Sequence, residues 1–171
     1  MKNAAKVSIE KVTFSQIFYP MANAEHLEIL RSGVEKWNKW RKRNLWIKPD
    51  LRNVELTSDN LAYANFSSAD MAYATIFASD LNNANLQSAD LSFAKFIETN
   101  MIYADFAGVV MGYTNFSLCN LKDCKGLESV TVMESCAIDF QTLRASKNIP
   151  KSFLLKIGLP ELFIEYLREL S

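Results

Sequence analysis

The sequence predicts an all-β solenoid with helical caps at both ends. Three observations predict it. Large apolar residues recur at every fifth position from Leu51 to Leu121, through Leu56, Leu61, Phe66, Met71, Ile76, Leu81, Leu86, Leu91, Phe96, Met101, Phe106, Met111 and Phe116. The position two before each is usually small (Ala64, Ala69, Ala74, Ser79, Ala84, Ala89), and the position one before is mostly Asp or Asn. The period changes on both sides of this stretch, where apolar residues fall at helical spacing.

A period of five fits neither a helix at 3.6 nor a strand at 2.0. One helix would spread these side chains around its whole circumference. Self-similarity at a fixed period marks a solenoid, whose single repeats cannot bury their own apolar groups.

Segments such as "ADMAYATIFASDLNNANLQSADLSFAKF" resemble the pentapeptide-repeat family, with its consensus A(D/N)LXX. The match covers about 75 of the 171 residues. The resemblance implies a right-handed quadrilateral β-helix, with one pentapeptide per side and four per coil. Residues 20 apart then stack. One face holds Leu51, Met71, Leu91 and Met111, and the next Leu56, Ile76, Phe96 and Phe116. The third holds Leu61, Leu81, Met101 and Leu121, and the fourth Phe66, Leu86 and Phe106. At ~4.8 Å per coil the array is roughly 18 Å tall. Small residues beside the large ones keep a narrow bore from overpacking.

The chain divides into a lead-in with a capping helix (1–48), the β-helix (49–126), and an irregular last coil with capping and oligomerisation helices (127–171). Net charge is zero, but it is segregated. Residues 1–48 carry ten Lys/Arg against four Asp/Glu, and residues 49–125 carry nine acids against four bases. No run of 18 apolar residues suggests a membrane span, and the first residues lack an apolar signal core. Three cysteines and one histidine argue against a disulfide framework and a metal site. The expectation is a reduced, cytoplasmic protein without cofactor.

In the lead-in, "KVSIEKVTF" alternates like a short strand. Asn23 is expected to cap one helix from about Ala24 to Arg43, with Leu27, Leu30, Val34 and Trp37 on its apolar stripe. Trp37 and Trp40 are expected to cover the open end of the first coil, because an uncovered solenoid exposes a sheet edge. The competing reading makes Trp37, Trp40, Arg41, Lys42 and Arg43 a patch for nucleic acid or anionic lipid.

Two positions after the central residue, Tyr73, Phe93 and Tyr113 should form one outward ladder, with Tyr63 and Tyr103 on the opposite wall around Asn83. Stacked rings can stiffen the coil or offer a stripe to a protein partner. Asp50, Asp70 and Asp90 should stack as well. By resemblance, such acids suggest a DNA mimic that binds DNA gyrase, as in quinolone-resistance proteins. Roughly 18 Å of duplex carries about ten charges, whereas this array has a net charge of −5.

Beyond Leu121 the register fails at Gly126. Asp139 should cap a turn holding Leu143, and Pro150 and Pro160 should each start a helix. Leu162, Phe163, Ile164, Tyr166, Leu167 and Leu170 cover more than one stripe, so Phe163, Ile164, Tyr166, Leu167 and Leu170 are expected to mediate self-association or to fold over the preceding helix. The segment "IDFQTLRASKNIPKSFLLKIGLPELFIEYL" resembles the tail that closes the repeat array in bacterial proteins with a C-terminal TIR domain. That resemblance implies the assembly scaffold of an antiphage defence-type protein, paired with a TIR domain that this sequence does not contain. No Gly-rich phosphate loop is present, and the Asp residues follow the repeat instead of converging on a pocket. The reading is therefore a non-catalytic scaffold.

Overall fold

The computed structural model describes residues 21–169. The strand expected in "KVSIEKVTF" and the expected contact residue Leu170 lie outside them.

Two short helices lead in, α1 (Ala24–Arg31) and α2 (Val34–Arg43). Asn23 caps α1, its Oδ1 accepting from the backbone N–H of Glu25 (3.0 Å) and His26 (3.1 Å). The single helix expected here is split at Gly33, whose φ of 108° lies outside any helix. The break lets α2 lie across the first coil.

The coil then runs four-sided. One wall holds a parallel sheet of five short strands: β1 (Glu55–Thr57), β2 (Thr75–Phe77), β3 (Lys95–Ile97), β5 (Asn115–Ser117) and β7 (Ala137–Ile138). Strand β4 (Val110–Met111) pairs with β6 (Thr131–Val132) on another wall. The register is the expected one. Leu56, Ile76, Phe96 and Phe116 are paired in succession, 20 residues apart. Parallel bridges Asp50↔Asp70↔Asp90, Asn60↔Asp80↔Asn100↔Asn120 and Asn65↔Asn85↔Asp105 fix the other three walls. All fifteen central residues are buried. Phe96 and Phe116 stack inside the bore at 5.4 Å.

The Asp or Asn before most central residues has a backbone task. Its Oδ1 accepts the N–H two residues on, as from Arg52 to Asp50, Ser67 to Asn65, Asn82 to Asp80 and Ala107 to Asp105. These are Asx turns, which only a short side-chain oxygen can close. The corner follows at once. From Asn53 to Asp123, every fifth residue has a positive φ of 49° to 68°. The ladder residues Tyr63, Tyr73, Phe93, Tyr103 and Tyr113 all occupy this left-handed position, which bulky side chains disfavour.

The small column is also chemically sorted. Thr99 Oγ1 donates to Ile76 O (3.2 Å), Thr114 Oγ1 to Leu91 O (2.9 Å) and Cys119 Sγ to Phe96 O (3.2 Å). Each ties its coil to a carbonyl of the coil before.

Past Lys125 the spacing lengthens. Val110 pairs with Thr131 and Asn115 with Ala137, so two residues have been inserted. A 3₁₀ turn at Leu127–Ser129 takes up the first, and Leu127 fills the core in place of Gly126. Helices α3 (Phe140–Ala145), α4 (Lys151–Lys156) and α5 (Glu161–Glu169) follow the last coil.

Candidate interaction surfaces

The N-terminal end is closed by side chains that satisfy the first coil's open backbone. Trp37 is fully buried, tilts over Phe66 at 5.8 Å and stacks on Trp40 at 5.2 Å. Its Nε1 donates to Asn65 O at 2.9 Å. Asn38 Nδ2 donates to Tyr63 O (2.9 Å) while its Oδ1 accepts from Asn65 N (2.8 Å). Arg41 donates to Ser67 O (2.7 Å) and Ile47 O (2.8 Å). Burial lowers the Arg41 pKa. His26, the one histidine of the sequence, accepts the Asp50 N–H at Nδ1 (3.0 Å) and tilts against Trp40. An exposed ligand patch cannot include Trp37 or Arg41, because both are buried.

The far end is closed likewise. Asp139 caps α3 through Thr142 N (2.7 Å), and its other oxygen accepts from Leu118 N and Ser117 Oγ (both 2.9 Å). Burial alone would raise the Asp139 pKa, but these hydrogen bonds hold it below the ordinary carboxylate value. Thr142 Oγ1 accepts from Cys119 N (2.9 Å), and Ser146 Oγ from Leu121 N (2.8 Å).

Tyr73, Phe93 and Tyr113 form the expected ladder, with ring centroids 4.6 Å and 5.0 Å apart. Tyr63 and Tyr103 stand exposed on the other wall. The acidic column is partly neutralised: Arg52 pairs with Asp50 (2.7 Å) and reaches Asp70 (3.9 Å), which Lys48 also meets (3.4 Å). The hydrogen bond from Arg52 holds the Asp50 pKa down.

On α5 the expected contact residues separate. Ile164 is fully buried and belongs to the chain's own core, so it is not available to a second molecule. Leu167 is half-buried. Together they line a cleft of about 730 Å³ with Phe140, Leu143 and Leu154, which Arg144 and Lys147 flank. Phe163 and Tyr166 are exposed, and so is Leu162, at 80%. Leu162 belongs to the apolar tail but lies outside the expected contact set. Its place, four residues before Tyr166, was the available signal.

Cys119, Cys124 and Cys136 are free thiols. Burial pushes Cys119 to about 11 and Cys124 to about 12. Among the described residues no group of three His, Cys, Asp or Glu could hold a metal ion, and no helix is long and apolar enough to cross a membrane.

No family model and no curated protein matches the chain. Among solved structures it is similar to a pentapeptide repeat protein from the Arabidopsis thaliana thylakoid lumen, at 15% identity over 70% of this chain and 78% of that one, with a TM-score of 0.44. It is also similar to HetL, a pentapeptide repeat protein involved in heterocyst differentiation regulation in the cyanobacterium Nostoc, at 22% identity over 48% of each chain (TM-score 0.19). QnrB1, a plasmid-mediated fluoroquinolone resistance protein, matches at 10% identity over 69% of this chain and 87% of that one (TM-score 0.29). The chain's own register, five residues to a side and twenty to a coil, makes it a pentapeptide-repeat β-helix.

Proposed function

We propose that the chain is a non-catalytic scaffold that works by protein–protein contact and pairs with a second copy of itself through α5. The observation that carries this is the exposure of Leu162, Phe163 and Tyr166 on one nine-residue helix anchored by buried Ile164. Three large apolar side chains held together on a docked helix favour a contact. Because the helix is already ordered, pairing costs little conformational entropy. A two-fold contact would set the same patch of each copy against the other. The tail's resemblance to TIR-bearing proteins extends the proposal: in a longer relative, paired scaffolds would bring effector domains together.

Light scattering over a micromolar concentration series tests the reading. The expected mass is twice that of one chain, falling to a single chain in Leu162→Asp with Tyr166→Asp. A single-chain mass for the unaltered protein overturns self-association. Inhibition of DNA gyrase supercoiling by the same samples would instead favour the DNA-mimic reading.

A further inference from the structure

We infer that the N-terminal pole is a docking surface for an anionic lipid bilayer, with Leu45 and Trp46 entering the interface and the outer face of α2 supplying the charge. One side of α2 is committed to the coil, through Trp37, Asn38 and Arg41. The opposite side carries Lys36, Lys39, Lys42 and Arg43, all exposed. At 100° per residue, Lys36, Lys39 and Arg43 fall in one stripe with Lys42 beside it. Glu35 is the single acid on this helix.

Immediately after the helix the chain turns, with Ile47 N donating to Asn44 O (3.1 Å) and Asn44 Nδ2 donating to Trp40 O (2.9 Å). This turn puts Leu45 and Trp46 at its tip, 71% and 81% exposed. An apolar pair on a closed turn beside four cations matches the two components of interfacial binding, insertion of apolar side chains and attraction to anionic headgroups. Tryptophan suits that boundary, since its ring is apolar and its N–H is polar. Duplex nucleic acid would use the cations but gives exposed Leu45 nothing to contact. The surface lies at the opposite end of the coil from α5, so it is independent of self-association.

Co-sedimentation of the full chain with vesicles tests this. Phosphatidylcholine vesicles containing about one third phosphatidylserine should retain the protein, and phosphatidylcholine alone should not. Retention should fall with added salt. Leu45→Ser with Trp46→Ser should weaken it about tenfold or more, and Lys39→Glu or Lys42→Glu roughly fivefold or more for each site. All these side chains are exposed, so thermal melts of the variants should match the unaltered protein. Equal retention on both vesicle types overturns the inference, as does undiminished retention of the Leu45→Ser, Trp46→Ser variant. Binding to a short DNA duplex without any preference for phosphatidylserine assigns the cations to nucleic acid and overturns it too.

Discussion

The indole Nε1 of Trp37 donates to the carbonyl oxygen of Asn65 at 2.9 Å, so one side chain both covers the bore and occupies a backbone acceptor of the first coil. Removing each role separately measures both. Trp37→Phe should keep most of the packing and cost about 1–2 kcal/mol, the worth of a hydrogen bond whose buried acceptor is left open. Trp37→Ala should cost about 3–5 kcal/mol, because it also opens a cavity over Phe66. Urea unfolding checks both. No loss in Trp37→Phe would mean that the hydrogen bond contributes nothing, and equal losses that the packing over Phe66 contributes nothing.

The left-handed corners predict an asymmetry between the two aromatic walls. Tyr63 is 67% exposed and has no ring neighbour among the stacked pairs of the described residues, yet it holds φ at 62°. Tyr63→Asn should raise stability by about 0.5–1 kcal/mol, since Asn tolerates this conformation better. Tyr73→Asn relieves the same strain but loses the ring stacked on Phe93 at 4.6 Å, worth about 0.5–1.5 kcal/mol. It should therefore gain nothing. Thermal melts of the two variants decide it.

Gly126 marks where the array must change its spacing. Its φ is 71°, and a Cβ there would stand 2.4 Å from Ala107 N. Gly126→Ala combines an unfavourable backbone angle with a backbone clash, so it should cost at least about 2 kcal/mol. Gly33→Ala meets no atom within 4 Å and carries only the conformational cost at φ 108°. The first substitution should be the more damaging in chemical denaturation.

Acid should loosen both ends. Asp50 and Asp139 have pKa values below the ordinary 3.8 in the folded chain. A carboxylate depressed by folding adds stability that is fully present above its unfolded pKa. That stability is lost as pH falls through the folded value. Stability should thus decline below about pH 4, and Asp50→Asn with Asp139→Asn should flatten that decline. Urea midpoints between neutral and acid pH test the sign.

Much of the coil was legible because a narrow bore admits one arrangement of Leu61, Leu81 and Met101. The ladder of Tyr73, Phe93 and Tyr113 followed from the same count. What the count could not reveal was local chemistry without a period. The split at Gly33 depends on how α2 docks, and so do the bonds of His26, Asn38 and Arg41 to the first coil. At the other end, Thr142 and Ser146 look like ordinary helix residues until their hydroxyls are seen on Cys119 and Leu121. Burial of Ile164 beside exposed Phe163 turns on the angle of one short helix, which composition does not set. Leu45 and Trp46 have no repeat around them, and only the turn at Asn44–Ile47 shows that they project.

Stacking at twenty residues is tested most directly by cross-linking across the wall. Thr75 and Lys95 are Cα partners on adjacent strands, with both side chains directed outward. Such neighbours lie within disulfide reach. Burial raises the pKa of all three native thiols, so they should not compete under mild oxidation. Thr75→Cys with Lys95→Cys should close to a disulfide in the folded protein, while Thr75→Cys with Gln87→Cys, on the opposite wall, should stay reduced. A disulfide in the second pair and none in the first would contradict the coil.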